Sequence, residues 1–131
     1  MTSFITIYLY MKHHPWIAYG LSAMIAIAII TLSLTPLAKL PEAPGGDKLH
    51  HFIAYAALAF PTAVIKARHL IGVTFCYMVL GAGIELIQPY VNRYGEWGDM
   101  AANTCGVLLG TLGGLAVFVL LKSYGVSDRD H

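Results

Sequence analysis

Residues 16–35 run for twenty positions without a formal charge. As a helix with 1.5 Å of rise per residue, such a run is about 30 Å long, which matches the hydrocarbon core of a bilayer. The rest of the chain offers no way to bury it in water. Of the 131 residues, 57% are hydrophobic and only 11% are charged, whereas a soluble domain carries about a quarter charged residues. The mean hydropathy is +0.65. There are too few polar side chains to coat a soluble core, so a lipid-exposed helical bundle is expected, as a single domain over residues 1–131. The net charge of +1 gives no reason to expect a nucleic-acid partner.

Prolines and glycines divide the chain. Thr35-Pro36 closes the first run, because proline cannot donate the next helical hydrogen bond. Pro41, Pro44, Gly45 and Gly46 fill the first loop, and Asp47 stands where an N-cap belongs. A second span is expected at about 49–65, with Pro61 tolerated inside it as prolines are in membrane helices. A third is expected at 69–88, ended by Pro89, and a fourth at 99–121. Residues 1–14 are amphiphilic but too short to span, and they lack the basic start and cleavage site of a signal peptide. They read as an interfacial segment.

The expected architecture is therefore all-α: a four-helix transmembrane bundle with both termini on the cytoplasmic side. Lys12, Lys66, Arg68, Lys122 and Arg129 then lie inside, and Lys39, Lys48 and Arg93 outside, a five-to-three excess in the positive-inside sense.

Within this apolar frame the polar residues stand out. Glu85 lies in the third run, and charge within a span is costly enough to suggest a functional site. Residues three and four apart share a helix face. Asp47, His51, Tyr55, Leu58 and Thr62 form one stripe, Thr74, Tyr77, Gly81, Glu85 and Gln88 a second, and Asp99, Asn103, Gly106, Gly110 and Gly114 a third. Lipid cannot satisfy such faces, so they should turn toward one another, with their polar members near the outer ends. The glycines at 106, 110 and 114 read as a helix-packing face.

Two readings fit the cluster of Asp47, Lys48, His51, Tyr55, Glu85, Gln88, Arg93, Asp99 and Asn103. One is a structural clamp, with Lys48 or Arg93 neutralising Glu85. The other is an outward-facing pocket in which Lys48 and Arg93 hold an anionic group such as a phosphate. His51, Glu85 and Asp99 could together ligate a divalent ion. However, neither HExxH nor paired-histidine spacing is present, so no metal and no cofactor is expected. GxSxG, Walker and dinucleotide glycine motifs are also absent, and the chain reads as leaning away from an enzyme. Cys76 and Cys105 fall in different spans at depths that differ by roughly 10 Å. They are read as apolar packing residues, not a disulfide.

There is also an internal echo. Thr35-Pro36 and Gly46-Asp47 flank the first loop as Gln88-Pro89 and Gly98-Asp99 flank the second. This predicts two hairpins of like topology related by an axis along the membrane normal. In that alignment Leu32 stands opposite Glu85, so only the second hairpin carries the acid.

The blocks DKLHHFIAY (with Asp47, Lys48, His51, Phe52 and Tyr55) and IELIQPYVNRYGEWGDMAANTCGVLLG (with Glu85, Gln88, Arg93, Asp99, Asn103, Gly106 and Gly110) resemble the VanZ-like family of small bacterial membrane proteins. The region holding them, residues 47–110, covers about half of the chain. The resemblance implies a multi-pass protein of the bacterial cytoplasmic membrane, in a cell-envelope setting. Through the member that names the family, it also implies a link with susceptibility to teicoplanin, a glycopeptide. It implies no particular activity. The leading expectation is recognition of a lipid headgroup or lipid-linked envelope precursor, with membrane lipids as partners. The alternatives are an enzyme acting on such a lipid, or a structural module for another membrane protein.

Overall fold

The computed structural model describes residues 2–36, 46–91 and 95–124. These form helices α1 (Thr2–His13), α2 (Pro15–Ser33), α3 (Asp47–Val64), α4 (Leu70–Ile87) and α5 (Trp97–Ser123), with a 3-10 turn at Gln88–Val91 after α4. No strand occurs among the described residues. Three elements are long and apolar enough to cross a membrane: α2, α4 with its 3-10 turn, and α5. The chain is thus an all-α, multi-pass membrane protein.

The expected second span, α3, is not one of these three. The physical reason lies in its sequence. Asp47, Lys48, His50, His51, Tyr55, Pro61 and Thr62 all lower its hydropathy. It can carry them because it is the central helix, packed on α2, α4 and above all α5.

Helix boundaries differ from expectation at the start of α3. Gly46, in extended backbone, is the N-cap of α3, and Asp47 is the first residue of its first turn. α4 ends at Ile87, as expected ahead of Pro89, which lies within the 3-10 turn that carries Gln88 back into the protein. Between α3 and α4 the chain reverses sharply, with Lys66 and His69 both at positive φ.

α3 and α5 run parallel and in register. Lys48 lies against Gly98, Phe52 and Tyr55 against Gly106, Ala56 against Gly110, and Ala63 against Gly114. A Cβ at Gly106 would meet the Phe52 carbonyl, one at Gly110 the Ala56 backbone, and one at Gly114 would lie 2.6 Å from the Ala63 Cβ. Small residues at this spacing let two backbones approach and gain dispersion contacts. The small-residue face of α5 is therefore occupied by α3.

α2 runs antiparallel to α3. Ser22 Oγ donates to the Leu58 carbonyl at 2.8 Å, one turn before Pro61. α4 runs antiparallel to α5, with the Thr74 and Thr111 hydroxyls 3.4 Å apart. One apolar cluster, with Ile29, Tyr55, Leu58, Ile84 and Val107, fills the half of the bundle nearer the polar loops. A second closes the opposite end, where Tyr8 and Met11 of α1 pack on Ala18, Val64, Ile65 and Ala67. The first fourteen residues are thus largely a helix docked against the base of the bundle. Cys76 and Cys105 are free and exposed on the bundle surface. They are not packing residues of the core, because each lies outside the inward stripe of its helix.

Candidate polar site

The C-terminal ends of α2 and α4 meet the N-terminal ends of α3 and α5 at one end of the bundle. Here the apolar frame encloses His51, Glu85, Gln88, Asp99 and Asn103, all buried. They arrive from three elements. His51 lies one turn into α3, above Tyr55 on the same face. Glu85 is in the last turn of α4, and Gln88 opens the 3-10 turn. Asp99 and Asn103 are successive inward positions at the start of α5.

Glu85 is 4% exposed. Its Oε1 accepts from Asn103 Nδ2 at 3.3 Å, and its Oε2 accepts from the backbone N–H of Glu96 at 3.3 Å. Gln88 Nε2 donates to the Ser33 carbonyl at 3.3 Å, joining the end of α2 to the site. Gly81 makes room one turn below Glu85, because a Cβ there would lie 3.2 Å from both the Asn103 Cβ and the Tyr55 ring.

Asp99 is 3% exposed. Its Oδ2 faces His51 Nε2 at 3.9 Å and its Oδ1 faces Lys48 Nζ at 3.9 Å. Both separations exceed hydrogen-bonding distance. Lys48 instead bonds Glu96 Oε2 at 2.8 Å, and both side chains are more than half exposed. Above the buried cluster, this pairing lifts the Lys48 ammonium above its ordinary range and holds the Glu96 carboxyl below its own.

Among the described residues, Lys48 therefore serves Glu96 and faces Asp99, while the hydrogen bonds to the Glu85 carboxylate come from Asn103 and Glu96. Asp47 is exposed beside the cluster, and Arg93 lies outside the described residues. Four buried acceptor or hydroxyl atoms of the cluster have no hydrogen-bond partner among the described residues: Tyr55 OH, Gln88 Oε1, Asp99 Oδ1 and Asn103 Oδ1. Buried polar atoms in a protein are ordinarily paired, so among the described residues these atoms are the ones able to receive a further partner.

Two features escaped the sequence reading. Glu96 links both layers of the site, through its backbone to Glu85 and its side chain to Lys48. Its place three residues before Asp99, at the entry to α5, was the available signal. The potential ligand trio also changes membership. The atoms that converge belong to Asp47, His51 and Asp99, not to His51, Glu85 and Asp99. Away from the site, an open apolar cleft of about 400 Å³ lies between α2 and α4, lined by Tyr19, Ala23, Ala26, Gly72, Val73 and Cys76 among others.

In comparisons with protein families, curated proteins and solved structures, nothing matches the chain. The VanZ-like resemblance rests on the quoted residues alone.

Proposed function

We propose that this is a small protein of the bacterial cytoplasmic membrane, VanZ-like in its motifs, whose polar pocket opens outward and recognises a lipid headgroup or lipid-linked envelope precursor. In this reading α3 is the fourth crossing. Its parallel, in-register packing along α5 supports that depth, since α5 is itself long enough to span. Four crossings put both termini on one side, and the excess of lysine and arginine there favours the cytoplasm.

The observation that carries the proposal is the set of buried acceptors on Gln88, Asp99 and Asn103, beside Glu85, that have no hydrogen-bond partner among the described residues. In lipid, an unfilled acceptor has no water to turn to. A headgroup bearing hydroxyls or an amine supplies the missing donors. Its phosphate is assigned to Arg93 and to Lys48, whose bond to Glu96 is exposed and therefore readily exchanged.

The test is the lipid retained by purified protein. Glu85→Gln and Arg93→Ala should each lower it without unfolding the bundle, and unchanged retention in both variants contradicts the proposal. A second reading draws on His51 and Asp99, buried and facing each other, as an oriented acid–base pair. Turnover of a phospholipid or polyprenyl phosphate, lost in His51→Ala, would establish that reading instead.

A further inference from the structure

Asp47 and His51 are four residues apart on α3, so they share a helix face. Because α3 and α5 run parallel, that face meets the first turn of α5, where Asp99 is buried. Each of the three side chains offers one ligand atom, and these atoms lie within 4.8 Å of one another. We infer that Asp47, His51 and Asp99 bind one divalent transition-metal ion of the zinc or manganese class at the outer end of the α3–α5 pair.

The distances suit an ion better than a hydrogen bond. His51 Nε2 and Asp99 Oδ2 are 3.9 Å apart, too far to bond directly. Ligands about 2.0–2.1 Å from a tetrahedral ion stand roughly 3.4 Å from each other. A small closing movement of these side chains therefore brings them to the spacing of metal ligands.

A separate observation points the same way. Asp99 Oδ1 is buried and has no hydrogen-bond partner among the described residues. Buried carboxylates are ordinarily paired or bound to a metal. The Lys48 ammonium stands at ion-pairing distance, 3.9 Å, but makes its hydrogen bond to Glu96 at 2.8 Å, so among the described residues the oxygen's bonding position stays open to a ligand.

The donor set narrows the choice of ion. One imidazole with two carboxylates suits zinc or manganese, whereas magnesium and calcium favour all-oxygen shells. Three protein ligands also leave a coordination position open, where water or a headgroup oxygen binds. The ion would thus sit in the pocket assigned above to a headgroup, although its own binding requires no lipid.

The test uses full-length protein in detergent, stripped with chelator and delipidated, then titrated with Zn2+ and with Mn2+ alone. Bound metal is counted after gel filtration, and affinity is read by calorimetry. Wild type should hold one equivalent of at least one of the two ions. Asp47→Asn and Asp99→Asn should each weaken it tenfold or more, and Lys48→Gln should tighten it by removing a competing cation. Asp47 is exposed, so its variant remains informative even if Asp99→Asn folds poorly. No bound equivalent of either ion in wild type, or unchanged affinity in Asp47→Asn, overturns the inference. Since no lipid is present, the result is independent of the headgroup reading, under which Lys48→Gln should weaken binding of the lipid.

Discussion

Asn103 donates through Nδ2 to Oε1 of Glu85 at 3.3 Å, tying α5 to α4 inside an apolar bundle. Both residues are almost fully buried, so neither can exchange this partner for water. Asn103→Leu should destabilise the bundle by about 1 kcal/mol, the scale of interhelical hydrogen bonds in membranes. Glu85→Gln preserves shape and can still accept from Asn103, but its amide NH2 then faces the Glu96 N–H, so it should cost about as much as one lost hydrogen bond. Unfolding curves in mixed micelles check both values. Equal stability of Asn103→Leu and wild type would show that the bond contributes nothing.

The glycines of α5 make a sharper contrast. Gly110 lies against the Ala56 backbone, whereas nothing comes within 4 Å of a Cβ placed on Gly113. Gly110→Ala must push α3 and α5 apart and should cost about 1–3 kcal/mol, the usual penalty of overpacking. Gly113→Ala should be neutral or stabilise by up to about 1 kcal/mol, the difference in helix propensity. The same unfolding assay separates them, and equal effects at the two positions would contradict the close packing of α3 on α5.

These examples show what was legible in the sequence. Glycines four apart, and a carboxylate and an amide set into apolar runs, have few places to go in lipid. Their helical phase alone indicated inward faces. The relative shift of α3 and α5 along their axes was not legible, because no local signal encodes it. That shift puts Asp47 beside Asp99 and Lys48 over Glu96. The same limit explains α3. Its modest hydropathy reads locally as a weak span, yet it is the helix most enclosed by its neighbours. Whether the enclosed cluster binds anything is a question of chemistry, not of pattern.

The surface pair Lys48–Glu96 gives a pH dependence of known sign. Glu96 is held below its ordinary value of 4.5, chiefly by its hydrogen bond to Lys48. A depressed carboxyl contributes stability that is present above the unfolded pKa and is lost as pH falls through the folded one. The tie between the starts of α3 and α5 should therefore persist at neutral pH and loosen in acid, as pH falls below the ordinary carboxyl value of 4.5 and through the lowered folded one. Protection of the 96–99 amides, relative to their intrinsic exchange rates, should fall over that interval in wild type and be low throughout in Glu96→Gln. A flat wild-type profile would count against the pairing.

Cys76 and Cys105 test the membrane setting directly. Both lie on the exterior of spanning helices, so in intact membranes they face lipid. A charged, impermeant maleimide should leave both unlabelled until detergent or denaturant is added, and mobility should be the same with and without reductant. Rapid labelling of either thiol in sealed, native membranes would place that helix face in water.

Native mass spectrometry of protein released gently from membranes, with Glu85→Gln alongside, tests the pocket most directly. The account predicts a defined lipid adduct on the wild type that is lost or much reduced in the variant, with a mass that identifies the headgroup. No adduct on either protein, with both equally stable, would contradict it and leave the buried cluster as a structural clamp.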